Sequence, residues 1–132
     1  MLFDTITFVE GADWNYDVAG STLSTPSDGD IIMRFKAVRA FRLPANVAGS
    51  QFEAETAPSG GTLTLTILKN AGTGSPGGGS AIGTVVFNNG NTSPNTITVS
   101  ETDFAVGDRL EVEATITNSA DDIYVTFKTQ AV

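Results

Sequence analysis

The chain has 132 residues, 40% hydrophobic and 17% charged, with 14 Gly, 5 Pro and neither His nor Cys, a length that suits one domain with one core. Seven Lys and Arg against fifteen Asp and Glu leave a net charge of −8, which argues against a nucleic-acid backbone or an anionic membrane as partner. The missing His and Cys exclude Ser-His-Asp and Cys-His catalysis, HExxH and Cys-ligated zinc, iron–sulfur clusters and disulfides.

Met1-Leu2-Phe3-Asp4 places no basic segment ahead of an apolar run, so no signal peptide is expected. No apolar stretch approaches the ~20 residues that span a bilayer, and the expectation is a soluble domain. Thr5 to Val9 is the first candidate strand. Trp14 and Tyr16 alternate with polar groups in Asp13-Trp14-Asn15-Tyr16-Asp17. They either cover an open end of the fold or anchor into a partner. Ser24 to Gly29 is a turn cluster. It divides residues 1–28, an N-terminal arm or a first strand plus loop, from an expected body over 29–132.

Asp30 to Leu43 predicts two strands or one bent one, and it holds four of the seven basic residues: Arg34, Lys36, Arg39 and Arg42. Arg34 and Lys36 share a parity opposite Met33, Phe35 and Ala37, so they should face solvent or a partner. Arg39 breaks that parity, which suggests a bulge near Val38–Ala40 or an interface arginine. The segment reads either as a contact for an acidic neighbour or as a solvated face.

Gln51 to Thr56 is a further strand pattern, followed by Thr62 to Ile67, where Leu and Ile alternate with Thr. Ala71 to Ser80 is rich in Gly and Ser and is expected to be a mobile surface excursion. Within it, Gly72-Thr73-Gly74-Ser75-Pro76-Gly77 matches GxGxxG, but a dinucleotide site needs a helix to start there. More Gly and the strand pattern Ala81 to Phe87 follow instead, so a flexible hairpin loop is expected. Asn89-Gly90 suggests a tight turn with positive φ.

Thr96 to Ser100 is the next strand; Thr98-Val99-Ser100-Glu101 matches a capping box, but Gly107 leaves room for little more than a turn. Arg109 to Ile116 and Asp122 to Lys128 alternate clearly, with charge on the wet side. Eight or nine short strands with Gly, Pro and Asn punctuation predict an all-β, antiparallel, jelly-roll-like sandwich in one domain. Its core should hold Leu63, Leu65, Ile67, Leu110, Val112, Ile116, Ile123, Val125 and Phe127.

No catalytic residue and no cofactor follows from these patterns. Glycoside hydrolysis needs paired carboxylates, and Glu53 with Glu55 and Glu111 with Glu113 sit two apart on one strand face, but outward charge on half-buried strands accounts for both pairs. Asp28-Gly29-Asp30 and Asp121-Asp122 fit no EF-hand loop, and solvated turns are the expected reading. Calcium sites assembled from separate loops of a sandwich stay open at this point, and no metal ligand is assigned.

From Ala37 onward the chain resembles a β-module of tailed-phage virion proteins, found at the ends of tail fibres and in short head-decoration proteins. The motifs, in order, are Ala37-Val38-Arg39-Ala40-Phe41-Arg42-Leu43-Pro44, Ala48-Gly49-Ser50, Pro58-Ser59-Gly60 and Leu65-Thr66-Ile67-Leu68-Lys69-Asn70. Ile82-Gly83-Thr84-Val85-Val86-Phe87 and Phe104-Ala105-Val106-Gly107-Asp108-Arg109-Leu110 complete the set. The resemblance implies a jelly-roll-like sandwich assembled as a homotrimer on the virion surface, without catalytic residues. Its partners would be itself and the major capsid protein or another virion protein. A competing expectation is a receptor-binding module for host glycan. The long Ala71–Ser80 segment departs from the short turn of the family, and residues 1–28 carry no family motif.

Overall fold

A computed structural model describes residues 17–132. Eleven antiparallel strands are present among them: β1 (Asp17–Ser21), β2 (Asp30–Lys36), β3 (Phe41–Leu43), β4 (Gln51–Thr56), β5 (Leu63–Asn70), β6 (Ser80–Phe87), β7 (Thr96–Val99), β8 (Thr102–Phe104), β9 (Arg109–Ile116), β10 (Asp121–Lys128) and β11 (Gln130–Ala131). A 3-10 turn at Ala45–Val47 is the one helical element among the described residues. The candidate strand Thr5 to Val9 lies outside the described residues.

The pairing is nested. β1 pairs with β10, β2 with β9 and β3 with β8, so the chain doubles back on itself as one long hairpin. Rolled up, that hairpin forms a three-stranded sheet β1-β10-β4 and a five-stranded sheet β2-β9-β5-β6-β7. A short sheet β11-β3-β8 accompanies them. This is the all-β, antiparallel, jelly-roll-like sandwich expected from the alternation.

Inward residues of the sheets form one core. Phe41 and Phe104 stack with centroids 4.6 Å apart, and Phe52 meets Phe127 edge-on at 5.5 Å. Each such side chain withdrawn from water stabilises the fold by about 1.5–3 kcal/mol. Eight of the nine expected core residues are buried, and Ile116 is the exception at 42% exposure. The cause is a register shift: Leu65 pairs with Ala114, but Thr64 pairs with Ile116, leaving Thr115 as an extra residue. Such an insertion resets the alternation, so Ile116 follows the partly exposed Thr64 rather than the buried Leu65.

Lys36 ends β2 and Phe41 begins β3, so Asp30 to Leu43 is two strands joined by a four-residue connection. Arg39 breaks parity because it lies in that connection. The β2 register shift lies between Ile31 and Met33 rather than near Val38–Ala40. The capping-box match starts no helix: Val99 ends β7 and Thr102 begins β8. Gly90 adopts φ 83°, as its Asn-Gly turn required.

Candidate functional site

Four basic side chains singled out from the sequence fall along β2, its connection and β3, and they have different surroundings. Arg34 pairs across the sheet with Glu111, and its Nε donates to Glu111 Oε2 at 2.5 Å. It therefore serves an internal ion pair, with about a third of its side chain left to solvent. Lys36 is exposed at the end of β2, opposite Arg109. Arg39 is exposed in the connection. Arg42 makes a two-pronged contact with Asp103 on β8, at 2.7 and 3.2 Å. That hydrogen bond raises the Arg42 pKa further and holds the Asp103 carboxyl below its usual range. Trp14 and Tyr16 lie outside the described residues.

The group least expected from the sequence is Glu111. Alternation along β9 predicts outward charge, yet its side chain is fully buried. Although it lies on the sheet face away from the core, the 71–79 segment folds over it. Glu111 Oε1 accepts hydrogen bonds from Asn70 Nδ2 at 2.9 Å and Gly77 N at 3.1 Å, while Arg34 binds the other oxygen. Burial pushes this carboxyl up. Hydrogen bonds from Asn70, Arg34 and Gly77 more than offset that, so it titrates below the ordinary glutamate value.

The same network corrects the expectation of a mobile glycine loop. Asn70 Nδ2 also donates to Ser75 O at 2.6 Å. Arg109 donates to the carbonyls of Ala71 at 2.8 Å and Gly72 at 3.0 Å, and also to that of Gly74. A loop whose carbonyls and amides are taken up by fixed side chains has little freedom left. Gly74 is needed for close approach, since a Cβ there would lie 2.0 Å from Asn70 Oδ1. The GxGxxG match leads into β6 and not into a helix.

Asn70, Arg109 and the role of Glu111 escape a reading of the sequence because the Glu111 and Arg109 contacts join residues 34 to 77 apart. The usable signal is a lone Asn ending an apolar strand just before a glycine run. The remaining acids are differently disposed. Asp28 Oδ1 accepts from Thr117 N and Oγ1 at 2.9 and 2.8 Å, capping the β9–β10 corner. Burial, adjacent Asp121 and Glu55 together push the Asp122 carboxyl up. Tyr124 donates to Glu55 Oε1 at 3.1 Å. Tyr124 lines a shallow recess with Gln51, Phe52, Glu53, Ser93 and Thr126. No group of three or more Asp or Glu is placed to hold a metal ion among the described residues.

Comparison with protein-family models, curated proteins and solved structures finds no match for this chain.

Proposed function

We propose that the protein is a non-enzymatic virion structural protein of a tailed phage: a capsid decoration or cement protein that stabilises the head as a homotrimer. The observation that carries this reading is the ordered motif set from Ala37 to Leu110. Four of the six motifs lie at β3, β5, β6 and the β8–β9 turn, and the other two, 48–50 and 58–60, lie in the connections before and after β4. The clamped glycine loop and the paired Arg34 and Arg42 add support, because a stiff small body loses little entropy on docking. Many copies on one shell sum modest contacts through multivalency. In this reading the chain works at the virion surface without cofactor, nucleic acid or membrane, and contacts sister copies and the major capsid protein or another virion protein. Trp14 and Tyr16 serve as anchors of the N-terminal arm, and Lys36, exposed at the end of β2, faces an acidic neighbour.

Labelling the protein in particle images tests this. Copies spread over the capsid are expected, and density confined to the tail tip rejects the reading. Light scattering of the purified chain at micromolar concentration should give three times the chain mass; a monomer would count against the trimer.

A second reading, a tail-fibre or receptor-binding module for host glycan, is favoured by Tyr124 in its polar recess with Gln51 and Glu53. Aromatic faces flanked by carboxylates and amides suit sugar stacking. Retention on host-surface glycan that is lost in Tyr124→Ala would support it.

A further inference from the structure

The outer face of the sheet β1-β10-β4 holds a recess with fixed walls. Tyr124 and Thr126 of β10 and Gln51 and Glu53 of β4 line it, Tyr124 opposite Glu53 and Thr126 opposite Gln51. Ser93 adds a further wall. That wall is held in place: Ala54 N on β4 donates to Thr92 O at 3.0 Å, and Asn95 Oδ1 accepts from Asn88 N and Asn91 Nδ2 at 2.8 and 3.0 Å. The Tyr124 ring is held as well, its hydroxyl donating to Glu55 Oε1 at 3.1 Å. Across on β1, Ser21 stands opposite Tyr124 and Ala19 opposite Thr126, both too short to cover the ring. The recess measures about 330 Å³, at the small end of the range for ligand sites.

The charge around it has one sign. The three strands of this sheet hold Asp17, Glu53, Glu55, Asp121 and Asp122 against a single base, Lys128. Lys128 stands opposite Asp17 at the far end of β10, and its stem crosses Gly49, where a Cβ would lie 2.8 Å from Lys128 Cδ. Residues 1–16, which lead into β1, hold Asp4, Glu10 and Asp13 and no Lys or Arg, so their side chains bring no positive charge. The hydrogen bond to Glu55, burial, and the charges of Glu55, Asp122 and Glu53 push the Tyr124 hydroxyl up, which puts all three carboxylates within electrostatic reach of the ring. An anionic sugar meets like charge here, and a neutral one makes no use of the carboxylates. A cation gains from both, through the ring face and through charge-assisted hydrogen bonds.

We infer that this recess binds the ammonium group of an amino sugar, with the cation against the Tyr124 face, Glu53 as its carboxylate partner, and Gln51, Ser93 and Thr126 hydrogen-bonding the ring hydroxyls. This deepens the host-glycan reading and rests on it, and it names the sugar class: one with a free amino group, neither N-acetylated nor acidic. One aromatic in a shallow recess holds a single unit weakly, with a dissociation constant of about 1 mM.

An NMR titration of the purified chain with the tetrasaccharide of glucosamine tests it, at about pH 6, where the sugar amine, like an α-amino group, is protonated. Amide signals of Gln51, Glu53, Ser93 and Tyr124 should shift, and the tetrasaccharide of N-acetylglucosamine should bind at least about tenfold more weakly because it carries no charge. Tyr124→Ala and Glu53→Gln should each weaken binding about fivefold or more, and Tyr124→Phe, which keeps the ring face, should retain it. The spectra themselves show that each variant is folded. Tyr124→Ala leaves the net charge unchanged, so undiminished binding in that variant is the general attraction of an acidic protein for a polycation and overturns the inference. Tetralysine, with at least as many ammonium groups, should bind at least about fivefold more weakly, since it offers no hydroxyls to Gln51, Ser93 and Thr126; equal binding through Tyr124 overturns the sugar assignment. Equal, Tyr124-dependent binding of both tetrasaccharides overturns the amino-sugar inference and leaves the host-glycan reading standing. Binding of neither overturns the inference and removes the recess as support for that reading.

Discussion

At the scale of single residues, the chemistry of the chain is concentrated on two carboxylates whose surroundings push them in opposite directions. Glu111 is buried but held ionised by Arg34, Asn70 and Gly77. Removing a buried acceptor strands its donors, so Glu111→Ala should cost about 2–3 kcal/mol in urea unfolding at neutral pH. Because the folded carboxyl titrates below its ordinary value, its stabilisation is complete above about pH 4.3 and disappears as pH falls through the folded value. Thermal midpoints measured from about pH 5 to about pH 3 should therefore drop steeply in the wild type and less in Glu111→Gln. Asp122 has the reverse sign. Burial and the neighbouring Asp121 and Glu55 favour its neutral form, so stability declines as pH rises from about 3.9, the ordinary aspartate value, to the folded value. Its backbone has φ 50°, which Asn tolerates better than most residues. Asp122→Asn should accordingly raise the thermal midpoint at pH 7, and an unchanged or lower midpoint would refute a destabilising charge at Asp122.

At the scale of elements, the strands were legible and their environments were not. Gln51–Thr56 and Arg109–Ile116 coincide with their sequence patterns, because alternation and β-branched content act locally. β8 has three residues and β11 two, too short to show a period, and their pairing with β3 is what makes them strands. The 71–79 segment shows why composition misleads. Gly and Ser raise the entropy of a free chain, but three side chains from β5 and β9 bind this one at five backbone positions. Hydrogen exchange should thus find the amides of Gly74 and Gly78 protected. Arg109→Lys replaces a planar fork by a point donor and should speed their exchange about tenfold, in keeping with roughly one net hydrogen bond lost.

At the scale of the whole molecule, one core joins all the sheets, with the stacked Phe41 and Phe104 brought together as direct partners of the distant strands β3 and β8. Phe41→Ala should cost about 3–5 kcal/mol, a large part of the stability of an ordinary domain. The far-UV spectrum of the wild type should be that of a β protein, and its urea midpoint should fall sharply in the variant. The gathering of Arg34, Arg42, Lys69 and Arg109 around β2, β3, β5 and β9 also belongs to this scale, since it arises from which strands lie side by side. Only the cluster Arg34 to Arg42 is visible in the sequence; Lys69 and Arg109 join it through the fold.

The sequence by itself determined the β class, most strand positions, the positive-φ turn at Gly90 and eight core side chains. These depend on a two-residue period and on turn chemistry, which act over a few neighbouring residues. Tertiary structure decided that Glu111 is buried, that Arg34 is spent on it, that the glycine loop is clamped and that Ile116 turns outward. Each of these depends on which distant strand lies alongside, and in what register. An extra residue at Thr115 or a loop folded over an outward carboxylate leaves no trace in the local alternation, because its cause lies on another strand.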